Sequence, residues 1–380
     1  MAESNGESAW GAGRVVTTAG LPVVVAAVLA AVLAGEGRIA AATPPSGVPP
    51  GQPSLFERVF ASTGRTVLEE PDSALVSDVQ GFAAAPDGRL AVADQQTDRV
   101  QVYAPDGSLL AALGGGGEGP GELENPLDAA FTDGGGLWVV QQGDSRATRY
   151  GPDFAYDTAF RVEAGYYPED AEPLGDRLLV YVNRSEAGAR SLRIYDPSGR
   201  VVETFHPRRP EYREVPYWSA PARRLAAASE SWIVAGGNML YPLVLYGPGG
   251  TLRDSIGTPP PSWDQPPKPE PGSIRGPNQM KKYQQWRRTF TTIDEVAIYR
   301  DSLLLVAHEE LDPEILAYES ATYRADVYDL ATRRKVHEDV PLPGRLLAGG
   351  RHVHLLVDEP PRPWTVERFR LRPETEGQTP

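Results

Sequence analysis

Residues 82–114 read FAAAPDGRLAVADQQTDRVQVYAPDGSLLAALG. Two Pro-Asp-Gly triplets, Pro86-Asp87-Gly88 and Pro105-Asp106-Gly107, each stand between apolar runs. An Asp-Gly pair between such runs is a strong antiparallel hairpin signal. A polar loop separates Leu90–Ala93 from the alternating Arg99–Tyr103. The stretch therefore predicts four short strands in a meander.

The same unit returns along the chain, and repetition of this kind decides architecture before any single motif does. Residues 131–154 repeat turn, strand, polar loop, arginine, strand and aromatic; residues 174–205 and 231–257 do so again. Residues 301–336 are a stretched copy, and a last copy starting at Gly349 ends without its turn. The aromatic closing each third strand is Tyr103, Tyr150, Tyr195, Tyr246, Tyr328 and Phe369, at intervals of 47, 45, 51, 82 and 41. All but the fourth match the blade size of a β-propeller, and the fourth carries an insertion. Six copies predict six four-stranded blades over residues 54–372. The sixth copy has three recognisable strands, so an N-terminal strand, at residues 55–60 or 66–69, is expected to supply the fourth and close the ring. A β-sandwich with a small second domain is the competing architecture, and the regular strand spacing disfavours it.

Composition agrees. Among 380 residues there are 39 Gly and 37 Pro, too many punctuation points for long helices. Apolar residues make up 41%, enough for a large core. The charge, 37 basic against 51 acidic residues for a net −14, argues against a partner bound by phosphate neutralisation, so no nucleic acid is expected. The absence of cysteine excludes disulfides, thiolate metal sites, cysteine nucleophiles and a lipid-modified N-terminal cysteine.

Residues 21–34, LPVVVAAVLAAVLA, have the length of a signal-peptide core, and Ala40-Ala41-Ala42 offers a small-residue cleavage site ahead of Thr43. Arg14 is the one base before it. Residues 1–42 are thus a signal peptide or, uncleaved, an N-terminal membrane anchor, the one route to a membrane. Residues 43–53 are a Pro/Gly linker and residues 373–380 a polar tail.

The segment ADQQTDRVQVYAPDG (93–107) resembles the NHL-type repeat. GGGGEGPGELENP (114–126) resembles the connector of bacterial exported six-bladed propellers, with Leu123 in place of the usual Phe. The resemblance is strong over residues 66–150 and fades toward residue 257. It implies the fold and an exported location, but no defined reaction.

Asp94 and Arg99 invite a catalytic reading. The recurrence of the arginine as Arg146 and Arg190 favours structure instead, with Asp94 capping its loop and the arginine bracing a connector. The glycines of residues 114–121 lack the lysine of a phosphate loop and serve the sharp passage between blades. His352-Val353-His354 sets two imidazoles on one strand face, the seed of a metal site without an evident third ligand. No Gly-x-Ser-x-Gly or His-Glu-x-x-His occurs.

Two long connectors, residues 206–225 and 258–290, fall on the face shared by the loops between second and third strands. Within 258–290 a helix opened by Pro277 would align Met280, Tyr283, Trp286 and Phe290, with Lys281, Lys282, Arg287 and Arg288 around it. Such a lid suits an anionic or carbohydrate-like ligand, or an acidic peptide; its plain alternative is a stripe that packs on the disc. The leading expectation is an exported, non-catalytic binding or scaffolding propeller, monomeric and without a cofactor. It would recognise a ligand or protein through Gln95, Gln141, Asn183, Arg184, Asn238, His308, Tyr283, Trp286 and Arg287. The alternative is a metal-dependent hydrolase or lyase with a divalent ion in the central funnel, held by Asp94, His308, Glu309 and Asp358.

Overall fold

The Pro-Asp-Gly turns set the scaffold. In the computed structural model Gly88 and Gly107 both take φ +93°, and each donates its N–H back across the turn, to Ala85 and Ala104 at 2.9 Å. A side chain at Gly107 would fall 2.0 Å from the Val67 carbonyl, so only glycine fits. Thr132–Gly135, Gly151–Phe154, Asp196–Gly199 and Gly247–Gly250 repeat the bond.

The structure describes residues 53–373 except 73, 78, 163–166, 184–189, 208–223, 266, 268–277, 312–320 and 359–362. The expected signal or anchor, most of the linker, the 206–225 connector beyond Pro207, Pro277 and the tail beyond residue 373 lie outside it. The chain opens with a five-residue helix, α1 (Leu55–Val59), and β1 (Phe60–Val67). Blade one comprises β2 (Val79–Ala84), β3 (Leu90–Asp94), β4 (Arg99–Tyr103) and β5 (Leu109–Gly114). Blade two has β6 (Pro126–Phe131), β7 (Leu137–Gln141), β8 (Arg146–Tyr150) and β9 (Tyr156–Arg161). Blade three has β10 (Tyr167–Leu174), β11 (Arg177–Asn183), β12 (Arg190–Tyr195) and β13 (Val201–Pro207). In blade four follow β14 (Arg224–Ala228), β15 (Ile233–Gly237), β16 (Leu240–Tyr246) and β17 (Leu252–Ile256). After α2 (Gln279–Arg287), blade five has β18 (Thr292–Tyr299), β19 (Leu303–Leu311), β20 (Ala321–Asp329) and β21 (Lys335–Leu342). Blade six ends the chain with β22 (Arg345–Ala348), β23 (Val353–Asp358) and β24 (Thr365–Leu371).

Five sheets run in sequence order; the sixth is ordered β1-β24-β23-β22. The N-terminal strand therefore closes the ring, as expected, with bounds that overlap both predicted segments and match neither. Residues 55–59 are helical because Ser54 and Glu57 form a reciprocal capping box, and the strand runs from Phe60, the last residue of one expected segment, to Val67, in the first half of the other. Phe60 pairs with Leu371 and Val67 with Thr365.

Strand alternation explains the core. Ala91 and Ala93 of β3 face blade two, while Leu90 and Val92 face blade six. Six apolar layers result, one between each pair of neighbouring blades. The periodic aromatics belong to these layers, and several hydroxyls tie down the connector that leads into their own blade. Tyr150 donates to Gly121 O at 2.9 Å and Tyr328 to Thr258 O at 3.0 Å; Tyr246 meets His206 Nδ1 at 2.9 Å. Leu123, in the glycine-rich connector, is fully buried beside Gly114. Among the described residues no helix is long and apolar enough to cross a membrane.

Candidate functional site

The innermost strand of each blade has one edge without a sheet partner, and these edges face the axis of the ring. Their N–H groups must bond elsewhere or cost free energy. The inner strands enclose a cavity of about 180 Å³, to which all six blades contribute residues.

Its polar lining comes from a repeated backbone irregularity. Near the start of β2, β6, β10 and β18 the register shifts by one residue, and the residue after the bulge is Gly81, Asp128, Asp170 and Glu295 respectively. Bulges re-aim side chains. Here they bring acids from blades two, three and five to the cavity, with Glu172 further along β10. Gly81 makes room: a Cβ there would lie 2.5 Å from Asp128 Oδ1. Of the described residues of blade four, Ala227 and Ala228 line the cavity. From blade six comes Arg345, whose guanidinium binds Asp294 at 3.2 Å and the Val79 carbonyl at 3.2 Å.

Two of the acids bridge blades. Asp128 Oδ2 accepts the Ala171 N–H at 2.9 Å, and Asp170 Oδ2 accepts the Ala226 N–H at 2.6 Å. Asp128 Oδ1 in turn accepts the Ala129 N–H of its own strand at 2.8 Å. Burial pushes Asp128 up to about 6, against the opposing pull of the Asp170 and Ala171 hydrogen bonds. Burial, with the charges of Asp170, Asp128 and Glu295, raises Glu172 well above the usual carboxylate range. Asp294 keeps Arg345 firmly protonated.

The residues expected from the sequence lie elsewhere. Asp94 is a loop cap, accepting the N–H groups of Ser77, Gln96 and Thr97 at 2.7, 2.9 and 3.2 Å. Gln95 is half-buried in that same turn. Gln141 is fully buried and donates to Asp144 at 2.7 Å. Arg146 braces the glycine-rich connector through the carbonyls of Glu118 and Glu122, both at 2.9 Å, whereas Arg190 bonds Thr204 O of its own blade. Arg184 and the side chains of Asn183, Met280, Tyr283 and Asp358 lie outside the described residues.

Asn238, Trp286, Arg287, His308 and Glu309 do gather, at the junction of blades four and five, but as interior rather than open surface. Asn238 is 7% and His308 2% exposed. His308 Nε2 bonds Tyr241 Oη at 2.6 Å, and its ring packs edge-on to Trp263. Burial pushes this imidazole down to about 3. The expected helix exists, starting at Gln279 rather than at Pro277, and Lys281 and Lys282 are exposed on it. Arg287 and Arg288 are buried instead. Arg287 pairs with Glu309 and Thr292 and donates to Phe290 O at 3.2 Å; Trp286 packs on Phe290 and donates to Pro267 O at 3.1 Å. A buried arginine needs such partners, and they occupy the charge assigned to an anionic ligand.

Among the described residues the alternative metal set is likewise not assembled. Asp94 is in blade one, while His308 and Glu309 are in blade five, bound to Tyr241 and Arg287. The His352 and His354 rings lie 6.4 Å apart, edge to face, and among the described residues no three His, Asp or Glu side chains are placed to hold one ion. Sequence reasoning missed Asp128, Asp170, Glu172 and Glu295. The available signal was an acid near the start of the first strand in copies two, three and five, in LDAAF, EDAEP and DEVAI.

No protein-family model matches the sequence, and no curated protein matches it. Solved structures do. A Bacteroides fragilis protein named as exported is similar at 13% identity and TM-score 0.56, covering 84% of this chain and 97% of its own. A member of the DUF4221 family from Bacteroides vulgatus is similar at 10% identity and TM-score 0.58, covering 82% and 98%. Likeness at this level concerns the fold.

Proposed function

We propose that this chain is an exported, non-catalytic binding propeller that takes a small cationic group of its ligand, an ammonium or guanidinium, into the axial cavity. The observation that carries this reading is the convergence of Asp128, Asp170, Glu172 and Glu295 on one cavity whose Arg345 is already held by Asp294. A concave site with few convergent polar groups and perturbed carboxyls is where ligands bind most often. The cavity has room for a cationic headgroup or a side-chain terminus. Recognition stays on the loop face, because Asp128, Asp170 and Glu295 stand near the starts of inner strands, the ends at which the connectors arrive. Export is supported by the apolar run at residues 21–34 and by the similar protein named as exported.

Calorimetric titration with free lysine, free arginine and putrescine tests the reading. Binding should occur for at least one of them and weaken about tenfold or more in Glu295→Gln, since charge-assisted bonds contribute about 1.5–3 kcal/mol. No heat from any of the three, alongside binding of an acidic oligosaccharide, would return the site to the 258–290 segment.

A further inference from the structure

Five arginines at one end of the ring make no ion pair and no side-chain hydrogen bond among the described residues: Arg58, Arg300, Arg351, Arg368 and Arg370. The strand register brings them together. Phe60 pairs with Leu371 and Ala61 with Arg370, so β1 starts where β24 ends, with α1 and Arg58 just before it. Val353 pairs with Phe369, which sets the turn at residues 349–352 at the same end. The Arg300 N–H donates to the Gly350 carbonyl at 2.9 Å and joins the corresponding turn of blade five to it. This end lies opposite the connectors.

Arg368 is half-buried, and its Nε is enclosed without a partner. Its guanidinium lies over Gly64, where a Cβ would fall 2.7 Å from Nη2, and beside Gly88 of blade one, where a Cβ would fall 3.7 Å from Nη1. The neighbouring acids are engaged elsewhere. Glu57 accepts the Ser54 N–H and hydroxyl, Asp87 faces Arg89 at 2.8 Å, and Glu367 faces Arg65 at 3.8 Å. Asp301 is held by Ser229 and Ser231 of blade four. Burial, with the charges of Arg368, Arg300 and Arg351, pushes His352 below its ordinary 6.5, so three guanidiniums act on one imidazole. In a chain of net −14, this charge is left free for a partner outside it.

The chain also enters the ring here. Arg372 Nε donates to the Glu57 carbonyl at 2.8 Å, and Pro53, four residues before Glu57, is the first described residue. Eighteen residues separate Pro53 from the apolar run at 21–34, at most about 60 Å of chain. Arginines close to such a run are drawn to anionic headgroups. They are spread over α1, two turns and β24, a layout for many headgroups in a plane rather than for one anion. We infer that this end of blade six rests on an anionic phospholipid surface, a membrane contact additional to residues 1–42. The connector face then points away from the bilayer, open to a ligand. The contact depends on residues 1–42 as an anchor and not on the axial cavity, whose failure to bind a cation leaves it untouched.

The absence of cysteine allows a single label at a chosen place. The full chain carries a donor dye at Ser302→Cys, exposed in the turn of blade five, or at Gln96→Cys, exposed on the connector face. It is reconstituted into phosphatidylcholine vesicles with an acceptor dye at the headgroups, with or without about a third phosphatidylglycerol. Energy transfer from Ser302→Cys should exceed that from Gln96→Cys only where phosphatidylglycerol is present. About 0.5 M salt should abolish the excess, because it screens exposed charges. Arg300→Gln, Arg351→Gln and Arg370→Gln alter exposed side chains, and each should weaken the docked state about fivefold. The triple variant should lose the excess while its thermal midpoint and its incorporation into vesicles stay those of the parent. Equal transfer from the two positions, an excess indifferent to phosphatidylglycerol, or one that persists in the triple variant would each overturn the contact. So would a full chain that stays unbound with both kinds of vesicle. A Ser302→Cys label that responds to a soluble acidic oligosaccharide and to neither vesicle would assign the arginines to a polymer instead.

Discussion

Gly81 is vacant where Asp128 needs space: a Cβ on Gly81 would lie 2.5 Å from both the Cα and Oδ1 of Asp128, and 2.4 Å from the Leu127 carbonyl. The neighbouring backbone cannot yield as a flexible side chain would. Gly81→Ala should therefore destabilise the protein by about 1–3 kcal/mol, the usual cost of overpacking. Urea unfolding monitored by tryptophan fluorescence checks it; an unchanged midpoint would mean that blades one and two separate freely at the axis.

Stability should fall as pH drops from 7.5 to 5. His308 and His354 are held neutral by burial, both down to about 3 from the ordinary 6.5. The unfolded chain gains protons below 6.5 that the folded one refuses, so each histidine removes about 2 kcal/mol by pH 5. Asp128 works in the opposite sense. Its raised carboxyl stabilises fully below the ordinary 3.8 and loses that contribution as pH rises through about 6. Denaturant midpoints at both pH values should drop less on acidification in His308→Gln, by about 2 kcal/mol, than in the parent. Equal drops would assign the effect to other groups.

Tyr241→Phe should cost about 1–3 kcal/mol, because it strips the hydroxyl from Nε2 of the buried His308. Thermal unfolding measures the loss. A neutral result would show that His308 finds a new partner on its other side, where Nδ1 has none.

Closure of the ring depends on β1. Phe60 is 2% exposed, stacked on Phe56 at 4.9 Å and edge-on to Phe369 at 6.3 Å. Phe60→Ala should cost about 3–5 kcal/mol and expose the edge of β24. Chemical unfolding gives the first number, and concentration-dependent association in size-exclusion chromatography reports the second effect. A stable monomeric variant would locate the closure energy in the β1–β24 ladder rather than in these rings.

Where signals are local, sequence and structure agree closely. The Asp-Gly turns at 87–88 and 106–107 need only their own few residues to be recognised, and Tyr103 through Phe369 recur because each blade buries the same position against its neighbour. The Ser54–Glu57 capping box was equally visible, and reading the residues after it as strand placed β1 off by several positions. Arg287 and His308 show the opposite case. Both look like surface chemistry in a loop-rich stretch, yet Glu309 and Tyr241 draw them inward from other strands.

The amino-acid sequence by itself determined the number of blades and the strand order within each, because turns, strand alternation and the closing aromatic repeat within a single blade length. It also determined that the N-terminal segment would complete the sixth blade. Only the tertiary structure decided where the polar groups converge. Asp128, Asp170 and Glu295 are acids on three different inner strands, up to 167 residues apart, and no spacing in the sequence links them. They become a site because closing the ring turns every inner strand toward one axis, where bulges aim these side chains and the backbone of the next blade holds Asp128 and Asp170.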